Sequence, residues 1–265
     1  MAVFTRTITS APEAIVELVV VFAVVACFVG LHAFLQRHLR SDVLRRHNDV
    51  AGYLFSAVGV LYAVVLGFVV VVVWQKYDAT VSNIEAEVDA AADVYHSVAA
   101  FDPATRDAVR ADLRRYAQLI VTDEWPAMAR NADVPEGASE VMEDASHRIA
   151  MFPAQSLRES AAQQQALADA QRLFDARRER LIHSVPSVPT VLWFALVVGA
   201  LAMVAFCYLF GVESQTTQLL MTAILVGLIA ILFVVIGEFS TPFSGSVKIS
   251  PDGWLYFQDR LHFIR

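Results

Sequence analysis

Lysine and cysteine are nearly missing from this 265-residue chain, and charge of either sign is missing from its longest apolar runs. Lys76 and Lys248 are the only lysines. Binding nucleic acid calls for clustered bases that displace counterions, and no such cluster fits a net charge of −7. Cys27 and Cys207 are the only cysteines, which excludes a disulfide framework or a cysteine zinc cluster; both read as small buried hydrophobes. Val24-Val25-Ala26-Cys27 has the look of a lipoprotein cleavage site. The apolar run nevertheless continues to Leu35, and Glu13 and Glu17 stand where a signal peptide carries positive charge. The histidines, His32, His38, His47, His96, His147, His183 and His262, show no metal spacing. There is no phosphate-cradling glycine loop, GxSxG elbow or HExxH pair. The chain therefore reads as a non-enzyme without cofactor, metal or nucleic-acid partner.

What is present is apolar. Hydrophobic residues make up 57% and charged ones 18%, against about 45–50% and about 25% in soluble domains. The excess falls in four blocks: 15–35, interrupted only by Glu17; 50–74 and 188–212, both uncharged; and 214–237, closed by Glu238. Each is long enough to cross a bilayer core, which needs about 20 helical residues. The predicted fold is all-α, a multi-pass membrane protein with four transmembrane helices. Residues 1–75 form the first transmembrane hairpin, 76–187 a helical acidic extramembrane domain, 188–240 the second hairpin, and 241–265 an irregular tail carrying Pro242, Gly245, Pro251 and Gly253.

In the extramembrane segment Val81, Ile84, Val88, Ala91, Tyr95 and Val98 repeat at three and four residues. They form a seam with Glu85, Glu87, Asp89 and Asp93 off it. The seam is either a core stripe or a coiled-coil contact between subunits. Asp102-Pro103 signals a helix start, followed by Val109, Leu113, Tyr116 and Ile120 on one face. Trp125-Pro126 kinks or ends that helix, and 131–139 is a loop. A short helix around 141–149 follows. A long one from about Ser156 to His183 uses Leu157, Ala161, Leu167, Phe174 and Leu181 as its apolar face. No segment has strand periodicity.

Arg37, Arg40, Arg45 and Arg46 lie between blocks one and two, with only Arg6 ahead of block one. By the positive-inside rule that loop is cytoplasmic, where it also meets anionic lipid, and the extramembrane domain lies outside. Arg172, Arg177, Arg178 and Arg180 near block three argue the other way. The localisation expected is a bacterial inner membrane.

Gly52, Ser56, Gly59, Ala63 and Gly67 place small residues along one face of block two. Such a stripe lets a second helix approach closely, within the chain or between subunits, or lines a conduction path with Tyr53, Ser56 and Tyr62 as its polar groups. Asn48 and Asp49 at the block's start are helix caps or a polar ring at a pore mouth. Glu17 and Glu238 lie near block ends, where they are solvated, or serve as polar groups within the membrane.

Three motifs carry a family resemblance: His47-Asn48-Asp49-Val50-Ala51-Gly52, Glu124-Trp125-Pro126-Ala127-Met128, and Pro242-Phe243-Ser244-Gly245 with Ser250-Pro251. With the two-helix, insert, two-helix layout, the chain resembles an uncharacterised bacterial membrane family grouped as bestrophin-like. Two departures stand out. Members often have a base between blocks three and four, and an acid and a base before Pro242; here the first is missing and the second is Ser240-Thr241. True bestrophins are oligomeric anion channels with a cytoplasmic insert. The resemblance implies a homo-oligomeric pore conducting ions passively, with block two central. The alternative is a structural or signal-sensing protein whose acidic domain binds a partner.

Overall fold

The computed structural model describes residues 7–9, 11–37, 48–211 and 214–263. Four of its helices are long and apolar enough to cross a membrane. They are α1 (Ala11–Gln36), the first part of α2 (Asn48–Ser97), α7 (Thr190–Leu209) and α8 (Gln215–Ser240). Between α2 and α7 come α3 (Pro103–Leu119), α4 (Trp125–Ala129), α5 (Gly137–Ala150) and α6 (Leu157–His183). The chain divides into two compact units. One holds 9–75 and 187–240; the other holds the chain up to Ile8, 76–186 and 241 onward.

In the membrane unit apolar side chains face both inward and outward, as lipid requires. Leu66, Val69 and Val73 of α2 pack with Val188, Leu196 and Ile236, while Phe22, Leu61, Phe68 and Phe194 are exposed.

The extramembrane unit has an ordinary water-excluding core. Ile84, Val88, Ala91, Tyr95 and Val98 of the predicted seam are all buried within it, so this stripe is covered by its own chain. Val109, Leu113, Tyr116 and Ile120 are wholly buried as their spacing predicts. Asp102 accepts hydrogen bonds from the backbone N–H groups of Ala104 and Thr105, at 3.0 and 3.1 Å, with Pro103 in the first turn. Ser156 caps α6 through the Glu159 N–H, and the Glu159 carboxylate accepts from the Gln155 N–H.

Four expectations are corrected. Glu87, predicted off the seam, is fully buried. The inward face of α6 is Ala166, Asp169, Ala170, Leu173, Ala176 and Arg180, whereas Leu157 is 92% exposed. Polar residues occupy that face because they find partners there; Asp169 accepts from Ser97 and Gln165. Trp125-Pro126 neither ends nor sharply breaks the helical path. A wide turn over Ile120–Glu124, closed by the Trp125 N–H on the Ile120 carbonyl, joins α3 to α4 and seats Pro126 in a first turn, where no donor is lost. Finally, the tail is not irregular. Its residues 247–249 form β2 (Val247–Ile249), paired with β1 (Thr7–Thr9), and α9 (Asp252–Phe263) follows. Pro251 precedes the helix and its carbonyl accepts the first helical N–H groups, so proline here starts order. Trp254 and Phe257 bury themselves in the unit's core.

Candidate functional site

α2 supplies the membrane unit's most distinctive surface. Ser56, Val60, Ala63, Gly67, Val71 and Trp74 recur at spacings of four and three residues and are all exposed, although no charged residue lies among them. This face is left uncovered by its own chain. The small-residue stripe is divided. A Cβ on Gly52 would meet the Phe210 ring at 3.7 Å, and one on Gly59 would meet Met203 Cε at 3.3 Å, so these two positions admit close approach within the unit. Gly67 has nothing within 4 Å of an added Cβ. Ser56 donates back to the Gly52 carbonyl at 2.9 Å. Beside the open face an apolar groove of about 290 Å³ is lined by Val64, Phe68, Val72 and Leu192 among others.

Tyr62 turns toward α7. Its hydroxyl donates to the Leu196 carbonyl at 3.1 Å, and its ring lies so close to Gly199 that any Cβ there would overlap it. Tyr53 is 79% exposed. Asn48 both donates to the Gly211 carbonyl (2.8 Å) and accepts from the Gly211 N–H (3.0 Å), tying the start of α2 to the segment after α7. Asp49 is exposed, Glu17 and Glu238 are half-buried, and Arg37 is exposed. Arg40, Arg45 and Arg46 lie outside the described residues.

A polar cluster that sequence reasoning missed joins α1, α7 and α8. His32, fully buried, is 2.7 Å from Thr222 Oγ1, which is itself 3.4 Å from Cys207 Sγ. Gln36 donates to Gln218 Oε1 at 2.7 Å, and Gln218 donates to the Phe210 carbonyl. The signal was available: His32 and Gln36, at the end of the first apolar block, and Gln218 and Thr222, inside the fourth, are polar pairs four apart, hence on one helical face.

In the extramembrane unit α2 continues with Asp78, Ser82, Asp89, Asp93 and His96 exposed. Its opposite face delivers Glu87 to a buried ionic cluster. Arg180 Nε lies 2.6 Å from Glu87 Oε2 and Arg180 Nη2 lies 2.6 Å from Glu124 Oε2, with all three residues within 1% of full burial. Arg177 reaches Glu124 at 2.7 Å, so two cations face two carboxylates. Burial alone would pull the Arg180 guanidinium down. The Glu87 and Glu124 charges outweigh it and hold the group protonated. Tyr116 donates to Glu87 at 2.8 Å; burial first, then the Glu87 charge, push its phenol well above the ordinary range. The wide turn before Trp125 is what brings Glu124 inward.

Two of the three quoted motifs, Glu124–Met128 and the Pro242–Pro251 stretch, meet in this unit. The Trp125 indole donates to the Ile249 carbonyl at 3.2 Å and sets its ring edge-on to Phe243 at 5.2 Å. Gly245 adopts φ 86°, a left-handed turn that glycine accommodates freely. Among the described residues no three His, Cys, Asp or Glu side chains converge on a metal position.

A family model described as the bestrophin-like domain matches residues 21–254. The fold is similar to two crystal structures of a bacterial bestrophin homologue from Klebsiella pneumoniae. One has a TM-score of 0.65 at 13% identity, covering 90% of this chain and 99% of that one. The other has a TM-score of 0.64 at 14% identity, covering 95% and 98%. A further structure, a membrane protein, matches with a TM-score of 0.64 at 14% identity over 91% and 97%. No curated protein matches the chain by sequence.

Proposed function

Because this chain belongs to the bestrophin-like family, we propose that it is a homo-oligomeric channel of the bacterial cell membrane, conducting ions passively with α2 at its centre. The observation that carries this reading is the uncovered, uncharged face of α2 from Ser56 to Trp74, bordered by an apolar groove. Copies of that face, brought together around an axis, form a narrow apolar conduit that conducts or closes by wetting. Small side chains at Ala63 and Gly67 keep it from being plugged.

Beyond the apolar stretch the exposed residues of the same helix include three acids, Asp78, Asp89 and Asp93. A ring of such carboxylates at a pore entrance concentrates cations and repels anions, so cations are the favoured permeant class. Asn48 and Asp49 stand at the other end of the α2 membrane stretch as its second polar mouth. By the positive-inside rule Arg37, Arg40, Arg45 and Arg46 stand on the cytoplasmic side, against anionic lipid, which puts the acidic unit outside. Labelling of Asp133→Cys in intact cells by a membrane-impermeant thiol reagent supports this orientation; protection until the cells are permeabilised reverses it.

Planar-bilayer recording of the purified protein under a salt gradient tests the function. Currents whose reversal potential lies toward the cation equilibrium value support the proposal, and silence over several salts and pH values removes it. A second reading has one observation in its favour. Met151 and Leu157 leave apolar side chains 69% and 92% exposed on the extramembrane unit. In that case the unit docks a partner protein and the membrane helices anchor it. A monomeric, non-conducting particle is the outcome that favours this reading.

A further inference from the structure

The polar cluster of α1, α7 and α8 has a fixed direction. The Phe210 carbonyl can only accept, so the Gln218 amide must turn its nitrogen toward it. That leaves Gln218 Oε1 as the acceptor facing Gln36, and the Gln36 amide must present its nitrogen, at 2.7 Å. The same Gln36 nitrogen lies 3.3 Å from His32 Nε2, which therefore has to offer a lone pair. The proton of neutral His32 sits on Nδ1 and is donated to Thr222 Oγ1 at 2.7 Å; the Thr222 hydroxyl in turn donates to the Gln218 backbone carbonyl at 3.0 Å. Every donor in the series has an acceptor while His32 is neutral. A second proton, on Nε2, would face an N–H group.

One atom is left over. Gln36 Oε1 is buried and has no partner. Rotating the Gln36 amide by half a turn would place that oxygen on a protonated Nε2. It would also set oxygen against Gln218 Oε1 and break the Gln36–Gln218 bond, one of the cluster's two from α1 to α8. The titratable groups facing His32 are Cys207 and Tyr208, both on α7; the Tyr208 ring lies 4.3 Å from the imidazole and its hydroxyl donates to the Phe28 carbonyl of α1 at 2.6 Å. Among the described residues no carboxylate, Lys or Arg side chain is hydrogen-bonded to a member of the cluster.

We propose that His32 and Gln36 form a proton-operated latch. With His32 neutral, the Gln36 amide ties α1 to α8 through Gln218. With His32 protonated, the amide turns its oxygen to His32 and gives up Gln218, so that of the cluster's two hydrogen bonds from α1 to α8 only His32–Thr222 remains. One N–H bond forms, at Nε2, with a proton taken from solvent and one positive charge gained; one interhelical hydrogen bond is exchanged for one within α1. The latch works whether or not the protein conducts, so its test needs no current.

Spin labels at Phe34→Cys and Leu220→Cys, both exposed positions on α1 and α8, report the separation of the two helices. The labels go into the full chain in nanodiscs carrying Cys27→Ala and Cys207→Ser. Between pH 8 and pH 5, an interval spanning histidine's ordinary pKa of about 6.5, the dipolar distance distribution lengthens or broadens on the scale of about 1–2 Å typical of helix shifts. The change is absent in His32→Asn and in Gln36→Leu backgrounds. Identical distributions at the two pH values, or a shift that persists in both variants, overturn the latch. Should either variant fail to fold, the pH comparison without it still decides.

Discussion

Arg180 and Glu87 stand 93 residues apart in sequence and meet at 2.6 Å with no solvent access to either. The pair joins the last third of α6 to the extramembrane part of α2, and Glu124 closes the other side of the guanidinium. Buried ions in such a place are held by each other. Removing one leaves its partners charged in a medium that cannot solvate them.

Arg180→Leu should therefore destabilise the extramembrane unit by about 3–5 kcal/mol, the cost of stranding a buried charge. Glu87→Gln, which keeps hydrogen-bonding capacity, should cost less. Chemical unfolding of the purified protein, followed by tryptophan emission, checks both. Equal and small effects would mean that the cluster is already wet.

Tyr116 gives the cluster an alkaline limit. Its folded-state pKa lies above its unfolded one, so the stabilisation is whole below the ordinary phenol value of about 10 and declines as pH rises past it. Ionising Tyr116 would put a second negative charge against Glu87. Tyr116→Phe should be less stable at pH 7, by about 1.5–3 kcal/mol for a hydrogen bond to a charged group. It should also lose the part of the alkaline decline that Tyr116 causes. Melting temperatures measured from pH 7 to pH 11 for both proteins test this, and parallel curves would contradict it.

The two halves of the α2 small-residue stripe should respond differently to bulk. Gly59→Leu drives a side chain into Met203 of the same unit and should lower thermal stability, by about 1–3 kcal/mol. Gly67→Leu meets open space within the chain and should leave the protomer's fold intact. If the open face is where copies meet, Gly67→Leu changes the particle's subunit count, read by light scattering or particle mass. An unchanged count would move the subunit contact elsewhere.

The membrane helices were legible in sequence because lipid leaves a plain mark, a long run without charge. The α2 seam and the Val109 to Ile120 face were legible because water excludes apolar side chains at helical period. The inward face of α6 was not. Asp169 and Arg180 sit on it, and a reading that sends charge to solvent turns the helix the wrong way round. The tail was hidden for a related reason, since its prolines and glycines mark turns between ordered pieces while Trp254 and Phe257 hold it to the core. Within the membrane, His32 and Gln218 were passed over as scattered polar residues. Only their spacing, four residues from Gln36 and Thr222 respectively, pointed to shared faces.

The most direct test of the channel assignment is ion flux from liposomes reconstituted with the purified full chain over a series of protein-to-lipid ratios. Flux that rises with protein, exceeds that of empty liposomes and favours cations is the predicted result. Liposomes that stay as tight as empty ones, while the protein is shown to be inserted and folded, would contradict it.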